Sequence, residues 1–518
     1  MSTVAYPAAA DPPAGGVVSR LPRWWPLAAL TLLAAVLRLA TLDVQSFWLD
    51  EAFTPVNVLR PSLITTLRAI PHTENTPPLW YVIVWAFSRV LGTGEVALRL
   101  PSALAGIAAV PVAWAIGEEL EGPRARRAAI VCAAIVAVNP LFVWYSQEAR
   151  AYGLYVLTAA LAMLCFLRAR REPTPRRMAA FALAGSLALL SEYFAVFLLI
   201  PMVLWLLWER RTRVAALPAT VALAIVGAAL IPLVLAQAGR DTQWIGEWPL
   251  KQRLETSAQY YLTGYSGLRQ GTGVGEVQKP IGHAIELLVA LLILAGLGLG
   301  LRQMLARARS LFPALAPLLI AACGILIPVL LAAGGADYLA PRNLVGAMIP
   351  LSALIAVVVV WPGTGRAGAA IATAIALAFL AISLAVELSP SLQRENWRGL
   401  AHDLAHGSSA RAITAVYFYG SIPISYYLPS FHRLHVGSSV VVSEIDETDN
   451  GPIRVTSVPP PAPGFQLRER VDLNGMVAYR FVSAVPRRLS EATIARAGHS
   501  LTLASNEVFV PAGTPTTP

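Results

Sequence analysis

Charge is scarce in this chain: only 14% of its 518 residues are Asp, Glu, Lys or Arg, where soluble domains usually carry roughly 25%. That shortage excludes an ordinary soluble globule. Cysteine is scarce too. Cys132, Cys165 and Cys323 all lie inside apolar segments, which excludes a disulfide framework and any cysteine metal spacing. Lysine is almost missing, so nearly all of the +10 net charge is arginine. Those arginines sit in short loops between apolar runs rather than clustered in a soluble domain, which argues against nucleic acid and for membrane orientation and anionic headgroups. No small-residue cleavage site follows the first apolar run at about residue 24, so that run reads as a retained helix behind a disordered cytoplasmic tail, 1–23. The glycine-rich GTGVG at 271–275 lacks a following Lys-Ser/Thr and a preceding strand, so it is a loop and not a phosphate cradle.

What the chain has in abundance is long apolar sequence: 56% hydrophobic residues and a mean hydropathy of +0.59. A spanning helix takes about 20 residues. Hydropathy predicts eleven spans, at 24–42, 98–117, 129–146, 151–168, 178–192, 194–209, 214–237, 282–301, 312–333, 345–362 and 368–387. The pair 178–192 and 194–209 is separated at Ser191, Glu192 and Tyr193. A twelfth apolar segment, PPLWYVIVWAFSRVL at 77–91, is short and opens with two prolines. If it does not cross, the arginine-rich loops at 118–128, 168–177, 209–213 and 302–309 share one side with the N-terminus. The excess of arginine makes that side the cytoplasm. The segment is then an amphipathic juxtamembrane helix on the outer surface, where Trp80, Tyr81 and Trp85 suit the interface.

The expected fold is a polytopic all-α membrane protein with about 11 transmembrane helices, an outer juxtamembrane helix and a small C-terminal extracytoplasmic α/β or α+β domain. Its parts are the tail 1–23, a transmembrane domain 24–387, a soluble domain 388–510 and a flexible tail 511–518. In the soluble part AITAVYFYG, VGSSVVVSEI and MVAYRFVS read as strands, with a short helix near 422–429.

This topology gathers charge at the outer face. Asp50 and Glu51 of FWLDEAFT, Glu148 and Arg150 of YSQEAR, Glu192, and Arg342 of DYLAPRN all emerge there. Each has an ordinary reading. Asp50 can cap a helix, Arg150 can snorkel to the interface, and Glu148 can pair with Arg150. Together they suggest a cavity for an anionic lipid headgroup.

Three motifs carry a resemblance. WLDEAFT, TENTPPLWYVIVWAFSRVLGTGEVALRLPSALAG and NPLFVWYSQEARAYGLYVL, in this order and spacing, resemble the signatures of membrane-embedded GT-C glycosyltransferases. The nearest pattern is the dolichyl-phosphate-mannose-protein mannosyltransferase and aminoarabinose transferase-like superfamily. The resemblance covers roughly 24–400. It implies an inverting transfer of a sugar, mannose or another pentose or hexose, from a polyprenyl-phosphate donor to an extracytoplasmic protein, lipid or glycan acceptor. It implies Asp50 as the base that deprotonates the acceptor hydroxyl, Glu51 as its helper, and Arg150 and Arg342 as binders of the donor phosphate, since a guanidinium fork suits that anion. Glu148, Tyr152, His72, Glu74 and Glu192 are supporting candidates. Tyr152 stands where aminoarabinose-type members place an aspartate, which leaves a divalent metal an open question. His72 and Glu74 are candidate ligands or polar contacts. The implied partners are the lipid-linked sugar, the acceptor and membrane lipids; the implied location is a bacterial plasma membrane, with the site and soluble domain outside. The alternatives are a transporter or flippase of lipid-linked sugars, which would often show repeated halves, and a non-catalytic scaffold with an outer recognition domain.

Overall fold

The computed structural model describes residues 24–121, 126–239, 243–264, 278–307, 310–449, 458–474, 476–497 and 506–517. The tail 1–23 and the 271–275 loop lie outside these. The first half of the chain is helical: α1 (Trp25–Leu39), α2 (Leu49–Phe53), α3 (Leu63–Thr73), α4 (Leu79–Leu91), α5 (Glu95–Glu121), α6 (Arg127–Val138), α7 (Pro140–Ser146), α8 (Tyr152–Arg171), α9 (Pro175–Ser191), α10 (Ala195–Trp208) and α11 (Arg213–Gln237). There follow α12 (Gln243–Glu247), α13 (Leu250–Thr263), α14 (Gln278–Arg307), α15 (Phe312–Ala333), α16 (Met348–Val359) and α17 (Gly365–Leu388), with a 3-10 turn, Pro341–Ala347, leading into α16.

Among the described residues, seven helices are long and apolar enough to cross a membrane, or eight if the bent pair α6 and α7 is one span. The expectation of eleven is corrected. The seven are α5, α8, α11, α14, α15, α17 and the 3-10 turn continued by α16. The other four expected spans fall short. α1 has 15 residues, α9 has 17 and α10 has 14, against the roughly 20 a bilayer asks. The fourth, 129–146, is bent by 54° between Val138 and Pro140. Hydropathy sums composition over a window; it does not register where the backbone turns.

The bend has a local cause. Pro140 cannot donate to a helix ladder, and the residue before a proline is pushed toward extended backbone. Asn139 takes φ −62°, ψ 127°, and its side chain accepts from Leu141 N at 3.0 Å, capping α7. The last carbonyls of α6 then lose their partners. Arg38 supplies new ones: its guanidinium donates to Val136 O at 2.9 Å, Ala137 O at 2.8 Å and Ser146 Oγ at 3.1 Å. A buried cation at a helix C-terminus also meets the negative end of the dipole. The plug fits because α5 carries Gly106 opposite; a Cβ there would lie 2.0 Å from Ser146 Oγ.

α5 ties the two ends of the bundle together. Its 27 residues extend about 40 Å. At its far end Glu119 pairs with Arg168 and Arg171, while Arg170 pairs with Glu209. These contacts bring the end of α5 and the arginine-rich turns after α8 and α10 to one end. At the near end Glu95 meets the C-terminal domain through Arg398 and Tyr427.

That domain begins after α17 with α18 (Trp397–Ala405), α19 (Ser421–Tyr427) and α20 (Glu491–Ala497) around β1 (Arg411–Val416), β2 (Phe431–Arg433), β3 (Ser439–Asp449), β4 (Gln466–Leu473), β5 (Met476–Ser490), β6 (Asn506–Pro511) and β7 (Thr516–Thr517). The open sheet has the order β2-β6-β1-β3-β5-β4, with β7 on β3; β1 and β3 are parallel and the other pairs antiparallel. β1 is buried along its whole length because helices cover both faces. α18 and α19 pack on one through Trp397, Leu400, Ile413 and Ile424, and α20 on the other through Ile494, Ile445 and Phe481. This is the small α/β region the strand patterns predict. Trp397, at the start of α18, is buried in its core.

Glu447 on β3 is a liability of this sheet. It is fully buried, and neither carboxylate oxygen has a hydrogen-bond partner. Burial pushes its carboxyl up to about 8. A folded-state value raised above the ordinary one means stability that is complete below about pH 4.5 and is lost as pH rises through 8. Glu447→Gln is expected to remove that loss. Hydrogen exchange over β1 and β3, corrected for intrinsic rates, should fall more than fivefold on going to the variant at pH 8.5 and change little at pH 5. An unpaired buried polar group typically costs about 1–3 kcal/mol. Equal protection at both pH values would show that Glu447 finds a partner in solution.

Candidate active site

α2 and the loops above the bundle build one cleft. Its lining includes Asp50, Glu74, Arg150, Tyr152, Glu192 and Arg342, and it encloses about 170 Å³. Six of the nine residues expected at the site therefore share one cavity. It lies at the end of the bundle away from the arginine-rich turns, under Phe418 of the C-terminal domain.

Asp50 stands in the first turn of α2, where an anion favours the helix dipole. It is not the N-cap; that position is Trp48, in extended conformation. The helix passes into one π-helical turn, Thr54–Val58. The Asp50 carboxylate accepts from Arg342 Nη1 at 2.5 Å, with the two side chains 18% and 29% exposed. Arg342 reaches it from the 3-10 turn before α16. Arg150, in the turn between α7 and α8, forks onto Glu74, at 3.3 Å to Oε1 and 3.1 Å to Oε2. Glu74 is the C-cap of α3. Arg150 thus pairs with Glu74 and not with Glu148.

Glu51, next to Asp50, points the other way. Its carboxylate is fully buried in a two-pronged pair with Arg99, Nε to Oε1 at 2.7 Å and Nη2 to Oε2 at 2.6 Å. Oε1 also accepts from Ala149 N at 2.8 Å. Arg99 donates further to Leu42 O, Gln45 O and Ser46 O. Glu51 therefore joins the segment before Asp50 to the turn that carries Arg150. Glu148 lies behind the cleft, where Arg394 donates to it at 3.2 Å. Burial raises the Glu148 carboxyl, against the pull of Arg394. Glu192, in the turn between α9 and α10, is buried with Oε2 unpartnered, and burial pushes its carboxyl up to about 7. His72 is exposed on the last turn of α3 and does not line the cleft. Tyr152 does, with its ring 4.8 Å from that of Tyr145. On α4, Trp80 and Tyr81 are fully buried against the bundle, not spread at an interface.

The sequence reading passes over Arg99, Arg394 and Phe418. Arg99 carried a signal, a lone cation at the start of an apolar helix. The other two are brought in only by the C-terminal domain. Phe418 has φ +66°, an unusual state for a bulky side chain, and its ring sits 5.7 Å from that of Phe53.

These residues do not fit a metal centre. Asp50 and Glu74 each face a guanidinium, and among the described residues no group of three His, Cys, Asp or Glu side chains converges.

A multi-pass helical bundle capped by an open α/β domain, with a carboxylate and arginine cleft between them, defines the class. Residues 75–235 match the family described as dolichyl-phosphate-mannose-protein mannosyltransferase. That segment is less than half of the chain, and it holds nearly all of the second motif and the whole of the third on which the resemblance to GT-C glycosyltransferases rests. No curated protein matches the sequence. Among solved structures, ArnT from Cupriavidus metallidurans bound to undecaprenyl phosphate is similar at 14% identity and TM-score 0.48, over 79% of this chain and 85% of that one. The Archaeoglobus fulgidus oligosaccharyltransferase, in complex with Zn and sulfate, is similar at 16% identity and TM-score 0.46, over 73% of this chain. The chain spans about half the length of that relative, 54%.

Proposed function

We propose that this protein transfers a sugar, with inversion, from a polyprenyl-phosphate donor to a hydroxyl of an extracytoplasmic protein, lipid or glycan acceptor. The observation that carries this reading is the pairing of Asp50 with Arg342 in a cleft that also holds the Arg150 fork. An inverting displacement needs a base for the incoming hydroxyl and cationic stabilisation for the departing phosphate. Asp50 takes the acceptor proton as the acceptor oxygen bonds to the anomeric carbon. The bond from that carbon to the phosphate oxygen breaks, and its electron pair leaves on the lipid phosphate, beside Arg150 and Arg342. Glu51 acts as a positioning residue through Arg99 and Ala149. Glu74 holds the Arg150 fork.

The arginine-rich turns at the opposite end support a cytoplasmic orientation for that end, and with it a cleft and C-terminal domain outside a plasma membrane. The purified protein, offered a panel of polyprenyl-phosphate sugars with mass-spectrometric detection of products, tests the activity. Release of lipid phosphate without any glycosylated product, or no turnover of any donor, would refute it.

Arg150→Lys keeps the charge and loses the planar fork. Donor affinity is expected to fall about tenfold or more, because charge-assisted bonds are typically worth about 1.5–3 kcal/mol. A titration of donor binding checks this; unchanged affinity would remove Arg150 from the phosphate site and leave Arg342.

A further inference from the structure

The cleft holds one carboxylate that nothing balances. Asp50 faces Arg342 and Glu74 faces Arg150, so these four side chains sum to zero. Glu192 lines the same cavity at 3% exposure. Its Oε1 accepts from Tyr193 N at 3.0 Å; its Oε2 has no hydrogen-bond partner. The groups that face it are Tyr155 on α8, Tyr193 beside it, and Arg150 and Arg342 across the cleft. Asp50, Glu74 and Tyr152 complete the surround.

A lipid-linked sugar is a phosphodiester and brings one negative charge that does not titrate near neutrality. Seated between the two guanidiniums, it competes with Asp50 and Glu74 for them. A third anion at Glu192, buried in the same small cavity, repels it. Like charges that share a low-dielectric site cannot both stay ionised cheaply. A neutral carboxyl removes the repulsion and turns an orphan acceptor into an O–H donor in the wall of the cavity.

We infer that Glu192 takes up a proton when an anionic phosphodiester binds between Arg150 and Arg342, and holds the bound anion with its neutral carboxyl. The proton comes from solvent and rests on Oε2; no covalent bond changes. This inference deepens the donor-phosphate reading and rests on it.

The test uses the full chain in nanodiscs and farnesyl methyl phosphate, a lipid phosphodiester of fixed charge that needs no choice of sugar. Calorimetric titrations between pH 6 and 9, in two buffers of different ionisation enthalpy, give both Kd and protons taken up. In the wild type, uptake should approach one proton above pH 8, and Kd should weaken about tenfold per pH unit there. Glu192→Gln should bind with no uptake and a flat Kd. Glu192→Asp should restore the uptake, which a packing role alone would not do. Saturable wild-type binding without proton uptake overturns the inference and leaves the phosphate site standing. So does full uptake in Glu192→Gln. No saturable binding by the wild type at any pH overturns both readings. The wild-type uptake is decisive by itself if the glutamine variant does not fold.

Discussion

Asp50→Asn should lower sugar transfer about a hundred- to ten-thousand-fold at saturating donor, the usual cost of removing a general base. The amide keeps the shape and the helix position but cannot accept the acceptor proton. Folding should barely change. The Asp50–Arg342 pair is partly exposed, and ion pairs of that kind contribute about 0–1 kcal/mol. Donor affinity should hold or improve, because Arg342 loses a competitor for the phosphate. Single-turnover rates in nanodiscs, beside a thermal unfolding curve, separate these effects. Near-wild-type turnover would end the case for Asp50. It would not transfer the role to Glu51 or Glu148, whose carboxylates are locked in buried pairs; Glu74 and Glu192 would be next.

Glu51→Ala should act on the fold before it acts on chemistry. It leaves the Arg99 guanidinium, 1% exposed, without its counter-ion. Breaking a buried ion pair from one side typically costs about 3–5 kcal/mol. The same change removes the acceptor for Ala149 N, so the turn bearing Arg150 loosens too. Thermal unfolding in detergent should shift down by many degrees, with poor yield. The double variant Glu51→Gln with Arg99→Gln should recover part of the loss, because neither buried charge is left alone. A wild-type melting curve for Glu51→Ala would show that Arg99 is satisfied by the carbonyls of Leu42, Gln45 and Ser46 without it.

Which carboxylate of the adjacent pair faces the cleft is not written in the motif. In WLDEAFT the two look alike; one helical step of about 100° separates them, and only Arg99 and Arg342 tell them apart. Composition and charge were enough to read a membrane bundle, an α/β or α+β end domain and four of the six residues that meet in the cleft. These are regularities of local pattern: apolar runs, alternating strands, charges at run ends. Glu74 and Tyr152 came only with the resemblance. The span count failed where length depends on a backbone break, as at Asn139 and Pro140, or on a helix stopping early, as in α1 and α10. Arg394 and Phe418 were invisible for a different reason. Arg394 meets Glu148 across 246 residues of chain, and nothing local to either marks the other.

Much of the seam between the bundle and the C-terminal domain runs through the residues just ahead of Asp50. Ser46 Oγ donates to Glu395 O at 2.7 Å and accepts from Trp397 N at 2.9 Å; Phe47 N donates to Tyr427 Oη at 2.6 Å; Arg398 donates to Asp43 O at 2.8 Å. Phe47 also packs on Tyr426, ring to ring at 5.2 Å. The domain is therefore geared to α2 and Asp50 rather than hinged above them. A force on the domain is delivered through three residues of chain to the Asp50 carboxylate in the cleft.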